Sequence, residues 1–300
     1  MEIVGGGFLA HHLAEMADEH PDVVYLAAGV SMTSTTSTVQ FERERELVAS
    51  VAQRCARDGR RLVMLSSAAS GMYGLGPGTA AEEAAAPTTP YCRHKLAVEA
   101  VARAACPAAL VLRLTSVQGI KQSPHHLVPA MVAQARAGEV TVLRGARRDV
   151  IDVVDLVPIV RALVATGITG EVLNVASGHS VAAEDLADAV VARQEHPVRV
   201  VHRASRSGPE VSIAKLRAVV PPALTECFTA GYGLSVLRRY VAYYSTLSAL
   251  DAAIAQPHGR PQPATASGDG WVRAPAGTLS NDAVGAGRPS GRPTSNPPGR

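Results

Sequence analysis

Tyr91 and Lys95 lie four residues apart in the run Thr-Pro-Tyr-Cys-Arg-His-Lys, residues 89–95. The chain uses arginine for almost every cation, and its lysines are Lys95, Lys121 and Lys215. On a helix, positions i and i+4 share a face, so the phenol and the ammonium can converge. An ammonium beside a phenol lowers the phenol's pKa and makes it a usable proton donor and acceptor. Three further segments could serve the same chemistry. Gly5-Gly6-Gly7-Phe8-Leu9-Ala10 matches Gly-x-Gly-x-x-Ala, a turn that lets a pyrophosphate approach the backbone at a helix N-terminus. The bland alternative is a Gly-rich turn with no ligand. Ser66-Ser67-Ala68-Ala69-Ser70-Gly71 could offer a hydroxyl to a substrate carbonyl, or simply satisfy its own loop backbone. Arg147-Arg148-Asp149 through Val157 carries arginines able to fork onto phosphate or carboxylate. Its structural alternative is Asp149 or Asp155 capping a helix, with Arg148 in an ion pair.

These segments need strands and helices to position them. Apolar runs predict strands at Glu2–Val4, Val23–Ala28, Leu62–Ser66, Leu110–Leu114, Thr141–Leu143 and Val172–Val175. Between them, helical patterns cover Phe8–His20, Gln40–Asp58, Asp155–Ala165 and Ala183–Gln194. Thr89 as a cap with Pro90 at the first position starts another helix, running to about Ala105. Small terminal helices are expected at Ser212–Val219 and Gly233–Tyr244. The alternation predicts an α/β fold: a Rossmann-like parallel sheet with helices on both faces and a small C-terminal lobe. Residues 1–125 would form the dinucleotide-binding part and 126–250 the substrate lobe. Residues 251–300, rich in Pro, Gly, Ser and Arg, read as a disordered tail.

Composition narrows the function. The chain has 300 residues, is 47% hydrophobic and has formal net charge +3, too little to argue for nucleic acid. Cys55, Cys92, Cys106 and Cys227 show neither pairing nor metal-ligand spacing, so no metal site and a reducing cytoplasm are expected. His11-His12 and His125-His126 lack a carboxylate spaced to complete a metal site and read as loop or solvent-facing residues. The N-terminus lacks a signal-peptide layout, and no apolar run reaches the ~20 residues of a membrane span. Tyr243-Tyr244 reads as core packing.

Taken in order, Gly5–Ala10, Leu26–Ala28, Ser66–Gly74, Pro90–Lys95, Leu112–Gly119, Arg148–Val157 and Leu173–Gly178 resemble the extended short-chain dehydrogenase/reductase family, the epimerase, dehydratase and ketoreductase group acting on nucleotide sugars. The resemblance covers residues 1–245. It implies Tyr91 as catalytic acid/base, with Lys95 lowering its pKa and holding the nicotinamide ribose. Ser67 or Ser70 would polarise the substrate carbonyl. Gly5, Gly7, Phe8, Leu9, Ala27, Ala28 and Leu114 would line the cofactor, NADP or NAD with NADPH favoured. Arg148 would contact a substrate diphosphate, and His126 would line the substrate pocket. The resemblance also implies a homodimer through the Gln40–Asp58 helix and the helix bearing Tyr91, although Glu42–Glu46 reads as a solvated face.

The chain departs from the family pattern in four respects. Between Gly7 and Val23 there is room for one helix, where relatives have an additional strand, helix and strand. The sheet should therefore be shortened in its first half, with the first strand nearer an edge, and the usual reader of the adenosine ribose is missing. The family's catalytic Ser/Thr falls on Ala68 counting forward from the strand and on Ala69 counting back from Tyr73; a one-residue adjustment recovers Ser67. Ser116 and Gln118 replace the family's Asn and Tyr. The Asp-Glu pair typical of dehydratases is also replaced, by Ala69, Ser70 and Gly71. The expected activity is NAD(P)H-dependent reduction of a ketone, a 4-keto nucleotide-linked deoxysugar ahead of a polyketide ketone. A nucleotide-sugar epimerase and a non-catalytic dinucleotide-binding protein are the alternatives.

Overall fold

Hydrophobic residues at alternate positions of the central strands face two different helix layers, and this two-sidedness organises the molecule. The computed structural model describes residues 2–16 and 18–255. Its first half runs β1 (Glu2–Val4), α1 (Phe8–Leu13, continued by a 3-10 turn Ala14–Met16), β2 (Val23–Leu26), α2 (Thr38–Arg57), β3 (Arg61–Ser67), β4 (Thr79–Ala80), α3 (Pro90–Ala105) and β5 (Leu110–Leu114). The second half runs β6 (Ser116–Gln118), α4 (Leu127–Arg136), β7 (Glu139–Arg144), β8 (Arg147–Asp152), α5 (Val153–Ala165) and β9 (Val172–Val175). It ends with β10 (Ser180–Ala182), α6 (Ala183–Val191), β11 (Arg199–Ala204), β12 (Glu210–Val211), α7 (Ala214–Val219) and α8 (Tyr232–Ala255).

The main sheet has five strands in the order β1-β2-β3-β5-β9, and each neighbouring pair is parallel. Val24, Leu26, Leu62, Met64 and Val111 point to one face, where Val48, Val51 and Ala52 of α2 and Val98 and Ala102 of α3 cover them. Val23, Tyr25, Val63, Leu65, Leu110 and Leu112 point to the other, packed with Leu13 of α1 and Leu156, Ile159 and Leu163 of α5. A parallel sheet buried on both faces reads as near-continuous apolar strands, as these do.

β1 is an edge strand, as the single short connection between Gly7 and Val23 predicts. Glu2 lies on it between the guanidinium groups of Arg54 and Arg60. Charge along an exposed edge discourages pairing with other chains. Gly5 must be glycine: it has φ +142°, and a Cβ there would lie 2.5 Å from the Ala27 carbonyl oxygen.

Several boundaries differ from the sequence expectation. The first helix stops at Met16, well before His20. The last runs to Ala255; the rest of the expected tail lies outside the described residues. Helix α4 and strands β4, β6, β8, β10, β11 and β12 were not anticipated. β8 pairs with β6 on one side and antiparallel with β10 on the other, so the Arg147–Asp152 run is a strand. α5 is capped by Asp152, whose side chain accepts from the Val154 N–H, and not by Asp149 or Asp155. Asp152 also accepts from Tyr240 Oη (2.8 Å) and Arg239 Nη1 (2.6 Å), fastening α8 to the lobe. Tyr244 is buried and donates to the Gly119 carbonyl, whereas Tyr243 is exposed. Among the described residues no helix is long and apolar enough to cross a membrane.

Candidate functional site

α3 begins where the sequence places it. Thr89 Oγ1 accepts from the Cys92 N–H at 3.1 Å, and Pro90 occupies the first turn. The Ser-rich loop after β3 locks against this start, with the Thr88 N–H donating to the Gly71 carbonyl at 2.8 Å. Gly71, at φ +94°, permits that approach, since a Cβ would sit 2.7 Å from Thr88 Oγ1. The loop and the helix therefore meet as one unit, and Ser67, Ser70, Tyr91 and Lys95 line a single cavity of about 510 Å³. Phe8, Leu9, Ala27, Ala28 and Leu114 line the same cavity. His126 and Arg148 line it as well. Gly5 and Gly7 stand outside that lining, in the turn that carries the chain from β1 to α1.

Tyr91 and Lys95 are both buried, with the Lys95 Nζ 5.5 Å from the centre of the Tyr91 ring. Burial pushes the phenol above its ordinary range; Lys95 and the Ser67 hydroxyl pull it down, and the Glu44 carboxylate pushes it up. Lys95 thus acts on the phenol in the direction the sequence implies, but desolvation is the larger effect and the net shift is upward. Ser67 stands at the end of β3, and its Oγ accepts from the Ala69 N–H at 3.1 Å. Ser70 is exposed.

The structure adds a residue that the sequence reading placed in solvent. Glu44 of α2 is buried, and its Oε1 accepts from Lys95 Nζ at 2.6 Å. Its Oε2 takes the Val30 N–H and pairs with His94 Nε2, each at 2.9 Å. Glu42, Arg43, Arg45 and Glu46 around it are exposed, as expected of a solvated face. The helical spacing from Glu44 to Val48, Val51, Ala52 and Cys55, all buried, was the available signal.

Beneath the loop lies a second buried cluster. Arg113 forks onto Glu99, with Nη2 2.7 Å from Oε2, and donates from Nη1 to the Glu82 carbonyl at 2.7 Å. Ser66 Oγ donates to Glu99 at 2.5 Å, and Tyr73 donates to Asn174. Burial opposes the Arg113 charge, but Glu99 more than offsets it and holds its pKa above the usual value. This cluster ties α3, β3, β5 and β9 together under the Ser67–Gly71 loop.

At the opposite wall, Arg148 contrasts with Arg113. Among the described residues it makes no hydrogen bond or ion pair, so the alternative of a structural ion pair is not realised. Burial pulls its pKa below the usual arginine value. Its neighbour Arg147 is satisfied, donating from Nε to Ser180 Oγ at 3.0 Å. Asp149 accepts from the Gly178 N–H (2.7 Å), the Ser177 N–H (2.9 Å) and Thr115 Oγ1 (3.0 Å). Burial nonetheless pushes its carboxyl up to about 6. Half-buried His126 has an Nδ1 without a partner, and the Gln118 and Gln122 side-chain oxygens lack one too. Burial lowers the His126 pKa, favouring the neutral ring. His12 meets the Ile120 carbonyl and His125 meets Ser31; among the described residues no cluster of three or more potential ligands could hold a metal.

The family model for the NAD dependent epimerase/dehydratase family matches residues 10–176. No curated protein matches the chain. Solved structures do. MoeE5 in complex with UDP-glucose and NAD superposes with a TM-score of 0.66 at 19% identity, over 80% of this chain and 97% of that one. UDP-glucuronic acid 4-epimerase from Bacillus cereus, in complex with UDP-glucuronic acid and NAD, gives 0.60 at 20% identity, over 77% and 78%. RMD from Pseudomonas aeruginosa complexed with NADPH gives 0.60 at 19% identity, over 81% and 98%. At such identities the likeness is one of fold: the parallel sheet with helices on both faces. With more than half of its length matched and the ordered strand-turn-helix layout in place, the chain belongs to the NAD dependent epimerase/dehydratase family of enzymes.

Proposed function

We propose that the protein is an NAD(P)H-dependent ketoreductase acting on a 4-keto sugar linked to a nucleoside diphosphate. The observation that carries this reading is the cavity's pairing of a buried phenol at one wall with a guanidinium that has no partner among the described residues at the other. A phenol held in its neutral form is set to donate a proton to a carbonyl oxygen, and Ser67 beside it can donate a second hydrogen bond to that oxygen. An arginine desolvated without a partner is suited to the diphosphate of an activated sugar. The partnerless polar atoms of Gln118, Gln122 and His126 suit the hydroxyl groups of a sugar better than an apolar polyketide.

The residues present fit a nicotinamide cofactor. Lys95 donates one hydrogen bond to Glu44, which leaves two ammonium protons for ribose hydroxyls. Phe8, Leu9, Ala27, Ala28 and Leu114 form the apolar side of the cavity toward the Gly5–Gly7 turn. When bound, the reduced cofactor supplies the hydride. Dehydration of the sugar ring, in contrast, needs an acid and a base beyond the phenol. The carboxylates that line the cavity are Asp149, filled by its donors, and Glu210, which accepts from Ser180. Neither stands in the Ser67–Gly71 loop.

The test has two stages. Nicotinamide fluorescence titration with NADPH and NADH should saturate for wild type and fail for Gly7→Val. Gly7 has open space where a Cβ would be, so this variant blocks a ligand without disturbing the fold, whereas Gly5 packs on Ala27. A dTDP-linked 4-keto-6-deoxy sugar should then consume NADPH stoichiometrically. Tyr91→Phe should lose about 10²–10⁴-fold in kcat with cofactor binding retained. Interconversion of C4 epimers without net consumption of NAD(P)H would establish the epimerase reading instead.

A further inference from the structure

The Lys95 ammonium beside the Tyr91 phenol is not a free charge: a carboxylate holds it. Glu44 has a side chain only 2% exposed and reaches across from α2 to α3. Its two oxygens are fully engaged: Oε1 by Lys95 Nζ at 2.6 Å, Oε2 by His94 Nε2 and the Val30 N–H at 2.9 Å each. The loop after β2 is shaped around this carboxylate. Gly29 sits at φ +138°, and a Cβ there would lie 2.6 Å from Glu44 Cδ. His94 is in turn fixed by Phe41, whose ring stacks on the imidazole at 4.2 Å between centroids and 16° between planes. The His94 side chain is 8% exposed, against 6% for Lys95 and 2% for Glu44, so the imidazole is the outermost of the three and lies just beneath the surface. A buried carboxylate is costly to place unless it is paired and hydrogen-bonded, as this one is.

We propose that Glu44 is a positioning residue of the reaction: it holds Lys95 beside Tyr91 and, with His94 on its other oxygen, forms the route by which the phenol recovers its proton from water. The proposal rests on the reductase reading above. In that reaction the carbonyl π bond breaks as a hydride from bound NAD(P)H forms the C–H bond and the Tyr91 Oη proton forms the O–H bond. The tyrosinate left behind takes a proton from the Lys95 ammonium. Lys95 regains it through the Glu44 carboxylate, which is resupplied through the His94 imidazole by solvent. No net charge accumulates in the chain, and one proton is drawn from water per turnover.

The groups that act on the phenol are Lys95, Ser67, Glu44 and Cys92. Those facing Glu44 are Lys95 and His94 from α3 and the Val30 N–H from the β2–α2 loop; the other charges of its own turn, Glu42, Arg43, Arg45 and Glu46, are exposed. Removing the Glu44 charge should thus leave Lys95 acting on Tyr91 unopposed.

The experiment combines Glu44→Gln, His94→Gln and the control Glu42→Gln. The phenol is read without substrate, by ultraviolet tyrosinate titration with a matching Tyr91→Phe subtraction. Turnover is read with NADPH and a dTDP-linked 4-keto-6-deoxy sugar. In E44Q the Tyr91 transition should move to lower pH, and kcat should fall by about tenfold or more, with the KM for NADPH changed far less. Formate added as a small acid should restore part of the rate. In H94Q the rate should fall and imidazole should restore it. E42Q should show neither effect. A Tyr91 transition that stays in place in a normally melting E44Q overturns the hold on Lys95, and a loss that formate and imidazole leave untouched overturns the proton route. If E44Q does not fold, H94Q and its imidazole rescue decide the route. A wild type without turnover whose Tyr91 transition still moves in E44Q would sink the reductase reading and leave Glu44's hold on Lys95 standing.

Discussion

Replacing Arg148 by methionine should make the empty protein more stable and its ligand binding weaker, and the two effects share one cause. Arg148 sits on β8 opposite Val181 of β10, with its guanidinium desolvated and without a partner among the described residues. Arg113 shows what a stable buried arginine looks like in this fold: a bidentate carboxylate, a backbone carbonyl and a raised pKa. Replacing even a paired buried charge by apolar side chains of similar volume is often neutral or stabilising by about 1–4 kcal/mol, and a desolvated guanidinium without a partner has no pairing to lose. For a domain of this size each kcal/mol raises Tm by about 2–4 °C. A diphosphate would supply the missing partner. A hydrogen bond to a charged group contributes about 1.5–3 kcal/mol, so its loss should weaken dTDP binding by roughly 10–150-fold at 1.4 kcal/mol per decade. Arg148→Lys keeps the charge and loses the fork, so it should fall between the two. Calorimetric titration with dTDP and UDP, paired with thermal melts of the ligand-free proteins, measures both quantities. An R148M protein that melts lower and binds dTDP like wild type would refute the reasoning, because Arg148 would then have a structural partner and no ligand.

Two further outcomes follow from the site. Ser67→Ala should lower kcat by about a hundredfold through the lost donor to the carbonyl oxygen. Ser70→Ala, at an exposed position, should cost far less; the reverse order in steady-state assays would move the polarising role to Ser70. Asp149 gives a pH dependence of stability. Its folded carboxyl is pushed up to about 6 by burial, above the ordinary 3.8. The folded state therefore binds this proton more tightly than the unfolded chain, and stability falls as pH rises from about 4 through about 6. Asp149→Asn should flatten that slope in urea melts at several pH values, and an unchanged slope would assign it to other groups.

How much of this was legible depends on how local each signal is. α3 could be read from Thr89, Pro90 and the Tyr91–Lys95 spacing, because a cap and a helical repeat need only neighbouring residues. The edge position of β1 followed from counting, since too few residues separate Gly7 from Val23 to build another strand and its crossover. β8 was illegible for the opposite reason. Arg-Arg-Asp reads as loop, and what makes it a strand is pairing with β6 and β10, about thirty residues away on either side. Arg113 was hidden inside the apolar run of β5, where only Glu99 on α3 and the Glu82 carbonyl make its burial tolerable.

Glu44 is the instructive case, because both kinds of signal met in one residue and the louder one was misleading. Its neighbours alternate in charge and are exposed, which is the pattern of a solvated helix face. Yet it lies one turn before Val48 on the buried stripe. A carboxylate on an apolar stripe has to find a cation or stay protonated. Three lysines in the chain, one of them on a helix predicted to pack nearby, already narrowed the choice. Gly29, just after β2, marks the backbone room that such a carboxylate needs. The same logic runs in reverse for Arg148: a half-buried, desolvated charge without a partner among the described residues is the ground for proposing one that arrives with the substrate. Glu44 and Arg148 thus pose one physical problem, met within the chain for the first and, in the proposed function, by the ligand for the second.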